Sequence, residues 1–212
     1  MAKLQLALDF ADLGEALAIA DKAAPYCDWL EAGTPLIKSE GLRSLRELKK
    51  RFPGKTIVAD MKTMDTGAFE AGLAAKAGAD VTTVCGAADM DTIKGAIEEG
   101  KRRGIAVAVD LINVPPARWQ EIDSLKPDYI CIHVGIDQQA RGMDPLALLK
   151  KLKVRSKKIV AGGINAKSAP DAVKAGAEVV IVGGAITKAQ DPAKAAKEIK
   201  EAMDKASIPT QG

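Results

Sequence analysis

Short apolar runs recur along the chain at nearly regular intervals, separated by longer stretches of mixed character. The runs predict strands at Leu4–Asp9, Trp29–Gly33, Thr56–Met61, Val81–Cys85, Ile105–Asp110, Tyr129–Val134, Lys158–Gly162 and Val179–Gly183. Between them, apolar residues return at three- and four-residue spacing, the helical pattern. Leu13–Ala24, Ser44–Arg51, Ala68–Ala77, Met90–Arg103 and Ala193–Ala206 read this way. Helices stop at a glycine before the next strand at Gly78, Gly104 and Gly176. A left-handed residue just past a helix end explains that placement.

One internal repeat supports a regular architecture. Lys76-Ala77-Gly78-Ala79-Asp80-Val81 returns as Lys174-Ala175-Gly176-Ala177-Glu178-Val179, about four units of ~25 residues further on. Strict alternation of strand and helix implies a parallel sheet. Roughly eight units in about 200 residues favour a closed (β/α)8 TIM barrel over a doubly wound open sheet, whose strand spacing is similar. No GxGxxG follows the first strand, which disfavours a dinucleotide-binding version. No linker or break in composition divides the chain, so one catalytic domain is expected over 1–206. Residues 207–212 are expected to be a frayed tail.

Composition narrows the function classes. Of 212 residues, 47% are hydrophobic but only 3% are aromatic. The core must therefore be built from Ala, Val, Ile and Leu, as in a parallel sheet buried under Ala-rich helices. The net charge is +3 and no Lys/Arg run interleaves with aromatics, which argues against nucleic-acid binding. The mild basic excess suits a small anionic substrate. No apolar run approaches the ~20 residues of a membrane span, and the N-terminal run is too short for a signal segment. The three cysteines, Cys27, Cys85 and Cys131, are odd in number and lack metal-finger spacing. Reduced thiols of this kind fit a cytoplasmic protein.

Candidate chemistry lies at the strand ends, where barrels of this class carry their active sites. The first strand ends in Asp9, the second carries Glu31, and the third ends Asp60-Met61-Lys62 with Asp65 just beyond. The fifth ends in Asp110. The sixth carries His133, the only histidine, and the last two end in the pairs Gly162-Gly163 and Gly183-Gly184. Each has a plainer reading too. An Asp after a strand commonly caps the next helix, a reading strongest for Asp65. A lone histidine is often structural, and glycine pairs make tight turns. Glu31 is harder to explain away, because a carboxylate inside an apolar run needs a cation or a proton.

Glu31 and Asp60 come from adjacent strands and can converge at one mouth. Hard oxygen ligands in small number, completed by substrate and water, suit Mg²⁺. Lys62, two residues after Asp60 and so on the same side of the strand, is placed to stabilise an oxyanion or deliver a proton. The glycine pairs occupy positions where this architecture binds phosphate through backbone amides.

The segment Asp60-Met61-Lys62-Thr63-Met64-Asp65 resembles the Asp-x-Lys-x-x-Asp signature of the orotidine 5′-phosphate decarboxylase suprafamily. The resemblance runs from Leu4-Gln5-Leu6-Ala7-Leu8-Asp9 to Val182-Gly183-Gly184-Ala185-Ile186. Members that decarboxylate orotidine phosphate without metal carry a lysine where this chain has Glu31. Glu31 with Asp60 is similar to the metal-dependent branch of keto-gulonate phosphate decarboxylases and hexulose phosphate synthases. Asp110 and Ile136 stand where those decarboxylases have a Glu and an Arg, so the Val109–Val114 and His133–Gln139 segments look like the synthases.

That resemblance implies an aldehyde-lyase joining formaldehyde to ribulose 5-phosphate through a 1,2-enediolate, with Mg²⁺ or Mn²⁺ on Glu31 and Asp60. It implies Lys62 on the enediolate oxygen, His133 as acid/base, Asp9 orienting Lys62 or a hydroxyl, and Asp110 on the substrate side as an outer or water-mediated partner of the metal. The phosphate falls to Gly162, Gly163, Gly183 and Gly184. It further implies a homodimer in which Asp65 enters the neighbouring site. Two alternatives remain open: a related decarboxylase, and a non-catalytic barrel that binds sugar phosphates.

Overall fold

In a computed structural model, which describes residues 1–207, eight parallel strands close into a barrel in sequence order. They are β1 (Lys3–Leu8), β2 (Trp29–Ala32), β3 (Thr56–Thr63), β4 (Val81–Cys85), β5 (Ala106–Asp110), β6 (Tyr129–His133), β7 (Lys157–Ala161) and β8 (Val179–Val182). β8 pairs back onto β1, with Leu4 level with Val180. Closure leaves no sheet edge unpaired. The expected (β/α)8 architecture is the one observed. Of the tail expected at 207–212, residues 208–212 lie outside the described residues.

The strand positions agree with the apolar runs to within a residue or two, and the helix at Met90–Arg103 agrees throughout. Periodicity missed the helical turns at 34–40, 119–124, 136–139, 145–151, 169–174 and 184–187. Each has four to seven residues, too few for an apolar stripe to repeat.

Side-chain alternation builds two cores. On β1, Leu4, Leu6 and Leu8 are fully buried against the helices. Inside the barrel, Trp29, Val58, Val81, Ala108, Cys131, Ile159 and Val179 pack together. Trp29 and Tyr129 meet edge to face, with centroids 5.4 Å apart, at the strand starts. At that same N-terminal end, three aspartates tie neighbouring strands together. Asp28, Asp80 and Asp128 accept hydrogen bonds from the amides of Leu4, Ile57 and Val107 at 2.7–2.9 Å. The repeat is structural: Gly78 (φ 93°) and Gly176 (φ 90°) make matching left-handed turns into β4 and β8.

One irregularity matters for function. Along β3 and β4, Val58 pairs with Val81 and Ala59 with Thr82, but the next pairing is Thr63 with Val84. The extra β3 residues form a bulge, a device that re-aims side chains. Lys62 lies in it with φ 45°, unusual for a residue with a Cβ. Its amide donates to Thr83 Oγ1 at 2.9 Å.

Candidate active site at the C-terminal mouth of the barrel

A cavity of about 520 Å³ opens where the strands end. Asp9, Glu31, Asp60, Lys62, Asp110, His133, Gly162, Gly163, Gly183 and Gly184 all line it. Asp65 does not. It is exposed, and among the described residues its Oδ1 accepts only from the adjacent Thr66 amide, at 2.7 Å. The helix that follows begins at Gly67, with Thr66 in left-handed conformation at its cap, so Asp65 is not the capping residue.

The charged groups form a connected chain. Lys62 Nζ donates to Asp60 Oδ2 at 2.5 Å and lies 3.5 Å from Asp110 Oδ2. His133 Nδ1 lies 2.8 Å from the same Asp110 oxygen. Asp110 Oδ1 accepts from the Ile112 amide at 2.9 Å. Asp60 is further held by the hydroxyls of Thr34 (2.7 Å) and Thr83 (2.8 Å). Lys62 was expected to share Asp60's side of the strand by simple alternation. It does reach the same cavity, but through the bulge.

Glu31 sits deeper. It is level with Val58 on β3, so Asp60 stands two residues nearer the mouth. Gln5 Nε2 donates to Glu31 Oε2 at 2.7 Å, and Oε1 has no hydrogen-bond partner among the described residues. Asp9 is seated over Gly33, where a Cβ would fall 2.1 Å from Asp9 Oδ1.

Burial and mutual repulsion set the protonation balance. Burial, then the charges of Asp60 and Asp9, raise the Glu31 carboxyl well above its usual range. Burial and Asp60 also raise Asp9. Burial works against the Lys62 ammonium, but Asp60 and Asp110 outweigh it, so Lys62 stays protonated more firmly than usual. For His133, burial again opposes charge, yet the hydrogen bond and charge of Asp110 prevail and raise its pKa. Asp110 is pushed up by burial but moves down on balance, because His133, Lys62 and the Ile112 amide favour the carboxylate. Burial pushes the Cys85 thiol up to about 11, which removes it as a thiolate nucleophile at neutral pH.

Four carboxyl groups therefore share the cavity with the Lys62 ammonium and one imidazole, and Lys188 is the second lysine of its lining. Such a set has room for further positive charge, and its atoms are the hard oxygens a divalent cation takes. Among the described residues, no group of three or more His, Cys, Asp or Glu side chains is drawn together as a complete cage. Glu31 and Asp60, from adjacent strands, both present carboxyl oxygens to this cavity.

At the opposite wall the backbone is open at Gly183 and Gly184, where a Cβ would meet nothing closer than 3.7 Å, but closely packed at Gly162 and Gly163. Gly162 has φ 112°, and a Cβ there would fall 2.4 Å from the Val134 carbonyl oxygen. Gly184 opens the short turn Gly184–Thr187, whose first amides lack partners within it. Lys188 stands at this rim. Gln5, Thr34, Thr83, Gln139 and Lys188 did not stand out in the sequence. Gln5 carries the signal that marked Glu31, a polar residue inside an apolar strand. The others have none.

Comparison with known proteins fits this picture. Residues 2–199 match the family model described as orotidine 5′-phosphate decarboxylase / HUMPS family. A 3-hexulose-6-phosphate synthase from Mycobacterium gastri is 46% identical over 205 residues, covering 95% of this chain and 99% of that protein. The crystal structure of a 3-hexulose-6-phosphate synthase from Salmonella typhimurium superposes with a TM-score of 0.92 at 40% identity, covering 96% of this chain and 99% of that one. A crystal structure of KGPDC from Streptococcus mutans gives a TM-score of 0.90 at 27% identity, covering 97% of this chain and 98% of that one.

Proposed function

Because the chain belongs to the orotidine 5′-phosphate decarboxylase / HUMPS family, we propose that it is a 3-hexulose-6-phosphate synthase, an aldehyde-lyase that reversibly joins formaldehyde to D-ribulose 5-phosphate. The observation that carries this reading is the run Asp60–Lys62–Asp110–His133 on one cavity wall, with Glu31 beneath it. The naming of relatives at about this level of identity supports the choice of substrate.

The reaction takes a proton from C1 of the ketose, leaving a 1,2-enediolate whose C1 attacks formaldehyde. Lys62, kept protonated by Asp60 and Asp110, stabilises the oxygen on which charge builds. His133 has Nδ1 committed to Asp110, which leaves Nε2 to move the C1 proton or to protonate the new alkoxide. Asp9 orients Lys62 or a substrate hydroxyl from its seat over Gly33. The backbone at Gly162, Gly163, Gly183 and Gly184 takes the phosphate. Glu31 and Asp60 would hold Mg²⁺ or Mn²⁺, which supplies counter-charge to substrate oxygens when bound. Two copies of the chain would pair so that the exposed Asp65 serves the neighbour's cavity.

A β-keto acid phosphate decarboxylase shares this frame but needs a cation for the carboxylate. At that rim the chain has Ile136, 83% exposed. No helix among the described residues is long and apolar enough to cross a membrane. The deciding experiment follows formaldehyde consumption with ribulose 5-phosphate, before and after exhaustive chelation. Activity is expected only with Mg²⁺ or Mn²⁺ restored. Full activity in chelator removes the metal from the reading, and no consumption under any condition removes the synthase.

A further inference from the structure

The inward side chains of β1 are Gln5, Ala7 and Asp9, all lining the cavity. Ala7 is level with Glu31 across the β1–β2 pairing, and Gln5 is level with Trp29, one layer deeper. Ala7 is small, so the Glu31 carboxyl can reach over to β1 and meet the Gln5 amide, which lies below it. Gln5 is only 2% exposed, and its neighbours on the barrel floor are Val58, Val81, Ala108, Cys131 and Ile159. An apolar side chain would pack there without penalty. The amide stays although its Oε1 finds no partner among the described residues. Its one hydrogen bond is the 2.7 Å contact from Nε2 to Glu31 Oε2. Asp60, the other acidic residue of the pair, is held in the same way by neutral donors, Thr34 and Thr83.

We propose that Gln5 is a positioning residue for the cation site: it clamps Glu31 Oε2 from the barrel floor and so turns Oε1 toward the cavity. This rests on the reading of Glu31 and Asp60 as cation ligands. The carboxylate has two oxygens and a rotatable stem, and two like charges, Asp9 and Asp60, act on it. Without a donor on Oε2 it would turn away from them. Partners that orient a metal-binding side chain typically change affinity by about 10- to 100-fold.

The test is a Mn²⁺ titration by electron paramagnetic resonance, with ribulose 5-phosphate saturating and formaldehyde absent. Melting in chelator is measured in parallel. Gln5→Met keeps the volume and removes the donor. It is expected to weaken Mn²⁺ binding about tenfold or more, with the chelated melting temperature unchanged or higher. Gln5→Asn keeps the amide but draws it out of reach, and is expected to bind as weakly. It also stands in should Gln5→Met fold poorly. Wild-type affinity in either folded variant overturns the inference. Glu31→Gln separates it from its premise. If Glu31→Gln binds Mn²⁺ as tightly as the wild type, Glu31 is not a ligand, and both readings fall. If Glu31→Gln loses binding while the Gln5 variants keep it, only the role of Gln5 falls.

Discussion

His133 hangs from Asp110 by a single contact, Nδ1 to Oδ2 at 2.8 Å, within a cavity wall where Asp110 is 4% exposed. That contact fixes which ring nitrogen is free. It also decides the pH at which the imidazole charges.

The histidine should titrate above its usual value of 6.5, since Asp110 overcomes the effect of burial. A raised folded-state pKa means stability that is complete below about 6.5 and is lost as pH rises through the folded value. Because the chain has one histidine, its ring proton signals can be followed by NMR without assignment. Wild-type titration above 6.5 is expected in Mg²⁺-free buffer, and Asp110→Asn should move it down. A wild-type value at or below the usual one counts against the coupling.

Asp60→Asn should separate activity from stability. Lys62 loses its nearest partner, and formaldehyde consumption should fall by roughly 10²-fold or more. Asp60 also adds to the repulsion felt by Glu31 and Asp9. Relief of that repulsion offsets part of the cost of the lost Lys62 ion pair, so the melting temperature should move by only several degrees. Cys85→Ala, measured alongside, should leave the rate within about twofold. A comparable loss in both variants would point to general damage.

Gly33→Ala tests the seat of Asp9. The added Cβ meets Asp9 Oδ1 at 2.1 Å and the Leu8 carbonyl oxygen at 2.9 Å. The carboxylate must swing away, with a modest backbone cost of about 1–3 kcal/mol. A fall in kcat of about tenfold is expected, with a loss of only several degrees in Tm. Unchanged kcat in a folded variant would free Asp9 from its proposed part.

Asp65 is checked by mixing inactive subunits. In a dimer with crossed sites, Asp65→Ala paired with His133→Ala rebuilds one intact site per mixed pair. Random exchange should restore about a quarter of the sites. No recovery after refolding together, with dimers present, means Asp65 serves its own chain or none.

Much of this protein was legible in one dimension. Strand positions and closure followed from the apolar runs, because a buried parallel strand needs an unbroken stretch of such residues. Asp9, Glu31, Asp60, Asp110 and His133 stood out because each interrupts or ends such a run, and all of them reach the same cavity. Backbone shape adds little to the choice of chemistry: one KGPDC neighbour superposes on this chain nearly as well as the synthase, at 0.90 against 0.92. Within the metal-dependent branch the family resemblance sets Asp110 and Ile136 apart from the decarboxylases, and both can be read from the sequence.

Other features exist only after folding. Strand alternation put Lys62 beside Asp60, but a register slip against β4 and a left-handed backbone deliver it there. Thr34 and Thr83 look like ordinary strand and loop residues until Asp60 lies between them. The fit of Asp9 over Gly33, and of Gln5 under Glu31, joins residues more than twenty positions apart. Local propensity and polarity act along the chain and can be read from it. Register, bulges and contacts between strands depend on which segments meet, and that is decided only when the barrel closes.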